Sequence, residues 1–439
     1  RNDTVGGGCR TLEMVPGVHY DVCSAVHPLA AASPYFSSLP LGEHGLRWLH
    51  PEVLAAHPVD DHRTALLFAD LERTAEGLGA DADRWRRTFG PVVDRWTDLT
   101  DAILGPLARL PHHPFTLARF GLRALVPSTR AVRRFETDEA RALFAGVAAH
   151  TMLPLDRPFT SAVALVLTGA ADIGGWPVPA GGSQAIADAL VAALRSLGGE
   201  VVTGVDVTHL DELETAGPVL FDTAPEQLAR IAGHDLPTGY RRRLRAYRRG
   251  MSVFKVDFVL GGPVPWRDER IAAAGTVHLG GSADEVAAAE LAVWRGQVPE
   301  RPFTLVAQPS VVDPSRAPAG KKVVWAYCHA PPGFTGDLTE VIERHIEFHA
   351  PGFRDLIEHR VSRGAVELEA DNPNLVGGDI GGGSPAGRQL LLRPTVRVDP
   401  YRTPNPRLFL CSSSTPPGAG VHGMCGYWAA ESALRRWPD

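Results

Sequence analysis

Gly418-Ala419-Gly420-Val421-His422-Gly423 matches the pattern G-x-G-x-x-G, between a predicted strand at residues 407–411 and a predicted helix at residues 424–434. Such a loop is typical of dinucleotide-binding turns when a further strand supplies an acidic ribose partner about 20 residues later. Only 16 residues follow Gly423 in this sequence, so we do not expect that fingerprint here. Two interpretations stay open: a tight structural turn, or a loop whose backbone N–H groups and following helix N-terminus face an anionic ligand.

A second glycine-rich stretch, Val5-Gly6-Gly7-Gly8-Cys9-Arg10-Thr11, lies near the other end of the chain. Glycine lets a backbone approach an anion closely, and the planar fork of an arginine matches a phosphate group. Taken by itself, the stretch is equally well interpreted as a flexible loop.

Residues 174–228 carry the clearest local α/β pattern between the two glycine stretches. Ser183 suits the N-cap of a helix whose apolar residues recur at helical spacing, and Gly198-Gly199 ends that helix. The apolar residues are Ile186, Leu190, Leu194 and Leu197. Residues 200–203 and 219–221 are predicted strands, so the unit indicates an α/β fold with parallel character.

The remaining segments differ in texture. Residues 50–155 are mostly helical in pattern, whereas residues 250–395 mix strands, such as 253–258 and 322–327, with Pro/Gly-rich loops. We therefore expect a nucleotide-type α/β domain interrupted twice by a second domain of mixed sheet and helices. The predicted boundaries are 1–40, 155–240 and 395–439 for the first domain, and 41–154 and 241–394 for the second.

Taken together, these stretches resemble the phytoene desaturase-like FAD-dependent oxidoreductases, part of the larger amine-oxidase type of flavoprotein. The similarity rests on several segments that follow one another along nearly the whole chain. Besides the two glycine stretches, these segments are residues 21–28, 175–183, 222–228, 254–258, 263–266 and 372–379.

The resemblance implies a Rossmann-like FAD-binding domain, incomplete at the N-terminus, and a separate substrate domain. It also implies which residues contact FAD, the expected cofactor. Those expected along the pyrophosphate and ribityl chain are Gly7, Gly8, Arg10 and Thr11. Val207 is expected to contact the adenine through its backbone. Those expected under the isoalloxazine ring are Gly418, Gly420, Val421 and Met424. A helix N-terminus at that ring stabilises the negative charge of reduced flavin.

Two departures from the family pattern bear on cofactor binding. The opening strand–G-x-G-x-x-G–helix–strand is expected just upstream of Arg1 and is missing from this sequence. The chain is therefore interpreted either as a fragment or as a variant with impaired FAD binding. In the second departure, residues 412–415 are Ser412-Ser413-Ser414-Thr415, where many members of the wider group carry an acid. A hydroxyl group bonds a ribityl chain more weakly than a carboxylate does.

The function implied by the resemblance is hydride removal from a carbon–carbon bond of an apolar small molecule, isoprenoid or carotenoid-like, to flavin. His422 is the one candidate for a catalytic proton donor, because the resemblance puts it beside the flavin; Cys23 and His27 are weaker candidates. Two alternatives share the scaffold. One is a flavin-free protein that binds lipids or prenyl groups, as the GDP-dissociation inhibitors do, and the other is a flavin-dependent isomerase.

Composition narrows the partners and the compartment. The 50 acidic and 44 basic residues give a net charge of -6, which argues against a nucleic-acid partner. The arginine run at residues 240–249 is interpreted as a solvated helix face, with a contact to acidic lipids as the alternative. Five scattered cysteines without a C-x-x-C pair indicate a reducing compartment, the cytoplasm.

Two further segments leave an interpretation open. No apolar stretch is long enough to span a bilayer, but residues 107–125 mix Leu and Phe with Arg and His. This segment is either a lid on the core or an interfacial helix in peripheral contact with a membrane. His345 and His349 have the spacing H-x-x-x-H, but Ile346 stands where a zinc protease has Glu. We therefore expect no metal site there and interpret the pair as part of a polar helix face.

Overall fold

The computed structural model describes residues 1–106 and 109–437. Within these residues the strands form one large sheet and three two-stranded sheets. In chain order the strands are β1 (Thr11–Val15), β2 (Val18–Asp21), β3 (Trp48–Leu49), β4 (Val53–Pro58), β5 (Thr64–Leu67), β6 (Val178–Pro179), β7 (Val219–Phe221), β8 (Ser252–Leu260), β9 (Ala274–Leu279), β10 (Thr304–Ala307), β11 (Lys322–Ala330), β12 (Ile357–Arg363) and β13 (Leu408–Leu410).

Helices fill the segments between these strands. In chain order they are α1 (Pro28–Ala31), α2 (Pro34–Ser37), α3 (Leu71–Gly77), α4 (Ala82–Val93), α5 (Trp96–Ile103), α6 (Pro114–Ala124), α7 (Ser128–Ala131), α8 (Asp138–Ala149), α9 (Thr160–Gly174), α10 (Gln184–Ser196), α11 (Pro225–Ile231), α12 (Thr238–Arg245), α13 (Ala283–Trp294), α14 (Thr339–His349), α15 (Ala365–Asp371), α16 (Arg388–Leu391) and α17 (Met424–Arg436). The predicted α/β class is confirmed.

The large sheet has the strand order β12-β8-β11-β10-β9-β4-β5. Neighbouring strands run antiparallel except β4 and β9, which run parallel. Every residue of β4 and β8 is buried. The apolar cluster of α14 covers one face of both strands, while α8 packs on β4 and the strand β2 packs on β8 from the other side. Strands covered on both faces are apolar along most of their length. The mixed sheet predicted from residues 250–395 is thus present.

A helical layer lies beside this sheet, and aromatic side chains fill its interior. Trp85 and Phe89 of α4 stack with ring centroids 4.3 Å apart, and Phe144 of α8 packs on Phe89. Gly169 of α9 lets α4 approach closely, because an added Cβ atom there would lie 2.7 Å from Val92. The layer is held by apolar burial and close helix contact.

The parallel pair β7 and β13 forms the other sheet that bears on function. Its strands pack on α11 and α12 through a core that includes Phe221, Leu228 and Leu244, and α17 follows β13. The predicted strands at 219–221 and 407–411 and the predicted helix at 424–434 are confirmed. Both strands lie in segments assigned to the first predicted domain, and the large sheet lies in segments assigned to the second. The boundaries themselves remain predictions.

The strand predicted at residues 200–203 is wrong. This segment has no regular structure, and Val202 is 76% exposed. A strand needs a neighbour for its backbone hydrogen bonds, and the described partner of β7 is β13, not this segment. Apolar residues alone do not supply such a neighbour.

The prediction for α10 is right in its bounds and only half right in its packing. Ile186 is buried against Ala30 and Phe36, which belong to the two short helices α1 and α2 rather than to a sheet. At the other end of the helix Leu197 is 86% exposed. The apolar residues of α10 do recur at helical spacing, but the sequence does not indicate which of them the helices α1 and α2 cover.

Residues 50–155 are less helical than predicted, because they begin with β4 and β5. A fully buried strand and a buried helix both show continuous apolar runs, which explains the error. The predicted interfacial segment 107–125 contains α6, while residues 107 and 108 lie outside the described residues, as do residues 438 and 439. Among the helices described, none combines the length and apolar character needed to cross a bilayer.

Candidate functional site

The carboxyl ends of β7 and β13 meet at one edge of their small sheet, the position where open α/β sheets bind ligands. Asp222 and Thr223 follow β7 there. The Asp222 side chain is accessible to solvent, yet desolvation by the surrounding protein raises the pKa of its carboxyl group, so the residue lies in a concave part of the surface. Oγ1 of Thr223 is buried and has no hydrogen-bond partner among the described residues. An orphaned buried hydroxyl points to a missing ligand.

The C-terminal glycine loop follows β13 and leads into α17. Gly418, Gly420 and Gly423 have φ angles of 113°, 129° and 70°. Other side chains occupy the space where their Cβ atoms would be: Arg393 comes within 2.5 Å of that position at Gly418, and Phe36 within 2.5 Å at Gly423. The loop therefore requires glycine for its own backbone and packing.

The first turn of α17 is open to solvent on one side. Gly420 and Gly426 are exposed, and an added Cβ atom at Gly426 would meet no atom within 4 Å. Met424 is buried where the loop joins the helix, and the Cys425 thiol donates to the carbonyl of Gly418 at 3.5 Å. The first-turn N–H groups of a 13-residue helix carry partial positive charge. This end of α17 suits an electron-rich ring edge or an anion.

His422 is held inside the protein rather than at its surface. Its Nδ1 accepts a hydrogen bond from the Met424 backbone N–H at 3.0 Å, and its carbonyl accepts one from the Ser33 hydroxyl at 2.7 Å. Burial lowers the pKa of His422 to about 4, so the ring is neutral near pH 7 and carries its proton on Nε2. That nitrogen is buried without a described partner. The predicted role as proton donor remains a prediction.

The N-terminal glycine turn, Gly7–Cys9, is a single 3-10 turn. The Gly8 carbonyl accepts hydrogen bonds from the backbone N–H groups of Cys23 at 3.2 Å and Ser24 at 3.1 Å. Arg10 is buried, and its guanidinium pairs with the Asp371 carboxylate at the end of α15. Burial raises the pKa of the Cys23 thiol, which therefore stays protonated. A phosphate near Arg10 would compete with Asp371 for the same cation.

Thr11 belongs to a buried network that ties β1 and β2 to α10. Its hydroxyl donates to Oδ1 of Asp21 at 2.7 Å and accepts from the backbone N–H of Gln184 at 3.0 Å. Burial would raise the pKa of the Asp21 carboxyl group, but the charge and hydrogen bonds of Arg316 outweigh it and lower that pKa. The network orients the first turn of α10, and Oε1 of Gln184 is left without a described partner.

Both glycine stretches approach that first turn of α10. An added Cβ atom on Gly6 would lie 3.1 Å from Ala187, while Val421 packs against the apolar cluster that contains Ile186. His27 contacts the same turn, since its Nε2 lies 2.8 Å from the Ser183 hydroxyl. Burial lowers the pKa of His27 to about 4. The turn is thus flanked by residues from both ends of the chain.

Val207 contacts the core of the small sheet. It is half-buried against the core of β7 and β13, and the backbone N–H of nearby Gly204 donates to the Asn2 carbonyl at 3.1 Å. The segment that carries Val207 is thus tied both to the N-terminus and to the small sheet. The contacts of the predicted cofactor residues with FAD stay a prediction.

A buried ion pair beside this region was not predicted. Lys255 of β8 pairs with Asp257, and its Nζ also donates to the Asp21 carbonyl at 2.9 Å. The rings of Tyr20 and Trp325 lie 5.7 and 5.3 Å from Nζ. Oδ2 of Asp257 and Nε1 of Trp325 are buried without a described partner. The signal available in the sequence was a lone Lys–x–Asp within an apolar strand.

A cavity of about 610 Å³ opens next to the buried Met424. Aromatic side chains from α2 and α17 form much of its wall, and a polar group from α5 and the loop before α6 lies at its margin. The lining residues are Pro34, Tyr35, Ser38, Thr97, Thr100, Asp101, Arg109, His112, Met424, Tyr427 and Trp428. Asp101 is neutralised by Arg109 at 2.8 Å and hydrogen-bonded to His112 at 2.9 Å.

The histidine pair of α14 lies on the buried side of the helix. His345 and His349 have ring centroids 5.6 Å apart, but both side chains are buried, so the predicted polar helix face is wrong. Nδ1 of His345 lies 3.3 Å from the Thr304 hydroxyl of β10, and burial lowers the pKa of His345 to about 3 and of His349 to about 4. Across the described chain no group of three His, Cys, Asp or Glu side chains is arranged to hold a metal ion.

Comparison with solved structures identifies the fold as one found in oxidoreductases. An oxidoreductase from Methanosarcina mazei superimposes with a TM-score of 0.62 at 15% sequence identity, covering 99% of this chain and 93% of that one. Wild-type putrescine oxidase bound to putrescine gives a TM-score of 0.57 at 16% identity, covering 99% of this chain and 91% of that one. At these identities the likeness concerns the fold alone.

Sequence comparison gives a more limited match. No protein-family model matches the chain. Pyridine nucleotide-disulfide oxidoreductase domain-containing protein 2 from Rattus norvegicus is 32% identical over 154 residues, which span 32% of this chain and 26% of that protein. The match thus covers about a quarter of the curated relative's length. The printed names of the Rattus norvegicus relative and of the Methanosarcina mazei structure both contain the word oxidoreductase.

Proposed function

We propose that this chain is an FAD-dependent oxidoreductase that takes hydride from an apolar small molecule. The observations that carry the proposal are the approach of both glycine stretches to the first turn of α10 and the parallel pair β7 and β13, whose carboxyl ends lead into Asp222 and the C-terminal loop. Parallel strand ends with an adjoining helix N-terminus favour an extended nucleotide cofactor. The oxidoreductase fold of the structural neighbours supports the same choice.

The residues at the C-terminal loop fit the ring end of FAD. Thr223 offers an orphaned buried hydroxyl group, and the exposed backbone around Gly420 and Gly426 offers N–H groups at a positive helix end. When bound, FAD would supply the hydride-accepting chemistry. The chain's part is then to orient the ring, place partial positive charge at its edge and keep water away. His422, neutral and with its proton on Nε2, would act at most as a hydrogen-bond donor near pH 7.

The phosphate end fits less well, and this favours one alternative. Arg10 is already paired with Asp371, so its positive charge is offset inside the protein. A flavin-free protein that binds lipids or prenyl groups on the same scaffold would need no free cation here. The two functions therefore differ in what the exposed first turn of α17 binds. A flavin-dependent isomerase would share every contact proposed for the oxidoreductase and differ only in the product.

The substrate class follows from the cavity beside Met424. Tyr35, Tyr427 and Trp428 give it aromatic walls, which favour apolar ligands. The one carboxylate among the described lining residues, Asp101, is already paired with Arg109, so it gives little extra attraction for a cationic amine. We therefore propose an isoprenoid- or carotenoid-like substrate that loses hydride at a carbon–carbon bond.

A glycine replaced by leucine tests the cofactor site without disturbing the fold. Gly426→Leu places a bulky side chain in open space at the first turn of α17, where the flavin is proposed to lie. Gly239→Leu is the matched control, since Gly239 is exposed in the first turn of α12 with no atom within 4 Å of an added Cβ. We expect the wild type and Gly239→Leu to bind added FAD, seen as flavin absorbance that co-elutes with the protein, and Gly426→Leu to bind at least tenfold less.

Absence of bound flavin in all three proteins would reject FAD binding by this chain and favour the lipid-binding alternative. Equal flavin binding by Gly426→Leu and Gly239→Leu would place the cofactor elsewhere. With flavin bound, the product mass separates a desaturase, whose product is two hydrogens lighter, from an isomerase, whose product has unchanged mass.

A further inference from the structure

Helix α6 exposes an apolar stripe on its outer side. Phe115 and Leu122 lie seven residues apart, on the same face of the helix, and are 90% and 77% exposed. Leu125, just after the helix, continues the line and is 52% exposed. On the opposite side Phe120 and Ala124 pack on the helical core. Helix α6 therefore has apolar residues on two sides: one side packs on the core, and the other faces water.

The same stretch carries positive charge and no negative charge. No Asp or Glu occurs from residue 102 to residue 135, although the chain as a whole has a net charge of -6. Six arginines lie within these residues: Arg109, Arg119, Arg123, Arg130, Arg133 and Arg134. Only Arg109 of these forms an ion pair with a described residue, Asp101 of α5. The surface around the stripe is thus locally basic.

A second cavity, of about 340 Å³, lies at the C-terminal end of α6. Its lining combines arginines with apolar side chains that belong to the helical core. The lining residues are Arg84, Arg87, Thr88, Arg123, Val126, Ala131, Arg134, Phe135, Phe144, Ser161 and Leu165. Arg84 is paired with Glu136 at 2.6 Å, whereas Arg87, Arg123 and Arg134 have no ion-pair partner in the described chain. After burial, the charges of Arg119 and Arg134 lower the pKa of Arg123, which shows how closely these cations are grouped.

An orphaned polar atom points to a ligand in this second cavity. The Ser161 side chain is 1% exposed, and its hydroxyl has no hydrogen-bond partner among the residues described. Buried hydroxyl groups are normally hydrogen-bonded. Three unpaired guanidinium groups and one hydroxyl group around an apolar floor match a phosphate ester attached to an apolar chain.

We propose that the stripe of α6 and the arginine-lined cavity together form a docking site for an anionic phospholipid surface. The cavity receives a lipid headgroup phosphate, and Phe115 and Leu122 enter the interfacial layer of the bilayer. Lipid docking itself does not depend on the proposed function, but its role in substrate delivery does. The N-terminal end of α6 adjoins Arg109 and His112 of the larger cavity, where an apolar substrate would arrive.

The lipid surface is favoured over a second copy of the chain by charge. A symmetric contact through this face would bring Arg119 and Arg123 of one copy against the same arginines of the other, and like charges repel. Free inorganic phosphate would satisfy the arginines but leave the apolar floor and the stripe uncovered. An anionic amphiphile covers all three features.

Vesicle binding tests the proposal, and it needs no cofactor or turnover. The full-length chain is mixed with phosphatidylcholine vesicles, with or without phosphatidylglycerol, and the bound fraction is measured by flotation. We expect binding to anionic vesicles only, and a loss with salt. Arg123→Gln with Arg134→Gln should weaken binding by about fivefold per arginine, and Phe115→Ser with Leu122→Ser should weaken it by at least tenfold. A chain that binds no flavin would still be expected to bind these vesicles.

Matched control variants lie elsewhere on the surface. Leu197→Ser with Val202→Ser removes two residues that are 86% and 76% exposed, and Arg242→Gln with Arg243→Gln removes two exposed arginines of α12. These variants should bind like the wild type, with unchanged unfolding midpoints throughout the set. Binding that the controls lose equally, binding to neutral vesicles alone, or competition by inorganic phosphate as strong as by glycerophosphate would overturn the proposal. The proposal would also be overturned if the vesicles bind no protein and the chain instead associates with itself in a way that the stripe variant abolishes.

Discussion

The two glycine stretches differ in what their glycines do. In the C-terminal loop, protein side chains come within 2.5 Å of the position that a Cβ atom would take at Gly418 and Gly423. In the N-terminal turn the corresponding approaches are 3.5 Å at Gly7 and 3.2 Å at Gly8. The C-terminal glycines are therefore needed by the protein itself, whereas the N-terminal ones are only mildly crowded.

The two ends also differ in whether their polar groups have partners within the protein. The N-terminal cation, Arg10, is already paired with Asp371. Around the C-terminal loop, the hydroxyl of Thr223 and Nε2 of His422 are buried without described partners.

A glycine motif thus indicates backbone geometry, whereas buried polar atoms without a protein partner are candidate ligand contacts. Oε1 of Gln184 and Nδ1 of His27 are such atoms near the N-terminal turn. The pairing of Arg10 is therefore the difference that favours the C-terminal end for cofactor contact.

The largest expected effect comes from a side chain in the C-terminal loop. Gly423→Val should lower the free energy of unfolding by about 3 kcal/mol or more, because a β-branched residue is strained at positive φ and its Cβ would overlap Phe36. Gly7→Ala, also at positive φ but 3.5 Å from its nearest neighbour, should lower it by about 1 kcal/mol. Urea unfolding measures both. Equal losses would show that the packing difference between the two ends has no energetic meaning.

The next effect separates structure from ligand binding at Arg10. Arg10→Gln and Asp371→Asn should each lower the free energy of unfolding by about 1–3 kcal/mol, because each leaves a largely buried charged partner unpaired. If Arg10 also reaches the pyrophosphate, only Arg10→Gln should weaken FAD binding as well. Titration of added FAD into both variants checks this. Unchanged FAD affinity in both would assign Arg10 to the fold alone.

A smaller effect concerns pH and the C-terminal loop. The pKa of His422 is about 4 in the folded chain and about 6.5 when unfolded. Below pH 6.5 the unfolded chain binds a proton that the folded chain does not, so stability falls as the pH falls from 6.5 toward 4. Between pH 6.5 and 5 this residue accounts for up to about 2 kcal/mol. His422→Asn, which keeps an acceptor for the Met424 N–H, should lose that much less stability on acidification.

The control for this prediction is His62→Asn, since His62 is exposed. Unfolding by urea at pH 6.5 and 5 gives the difference in free energy of unfolding between each of the two variants and the wild type at each pH, which makes four differences. His57 and His150 stay in every variant, and burial lowers their pKa values to about 4 and about 3, so all proteins keep a further acid sensitivity. An unchanged pH dependence in His422→Asn would mean that its ring is protonated or solvated in the folded state.

Local pattern was sufficient for much of this fold. The strands 219–221 and 407–411, the helix 424–434 and the α/β class follow from residue spacing and glycine punctuation, which act over a few residues. The strands β4 and β5, which pair with each other across a short turn, were missed because a fully buried strand and a buried helix show the same apolar run. The false strand at 200–203 has another cause: a strand forms only where another segment pairs with it, and no local pattern encodes a distant partner.

Parts of the site were hidden for the same reason. Asp371, which neutralises Arg10, is 361 positions away from it, and Trp325 approaches Lys255 only because β8 and β11 pair in the sheet. The glycine motifs could be located from the sequence, but their counter-charges and orphaned atoms are properties of packing. The meeting of both chain ends at α10 came from the resemblance rather than from any spacing.

The smallest expected effect lies at the last turn of α10 and is set against a large effect at its first turn, so that the two together test how far α10 supports that meeting. The first turn carries Ile186, which belongs to the apolar cluster that Val421 packs against, whereas the last turn ends at the exposed Leu197. Leu197→Ser should therefore change the free energy of unfolding by less than about 0.5 kcal/mol, and Ile186→Ala should lower it by about 2–4 kcal/mol. Comparable losses would show that the whole predicted stripe is covered in solution, and that a surface over the last turn of α10 contributes to joining the two ends.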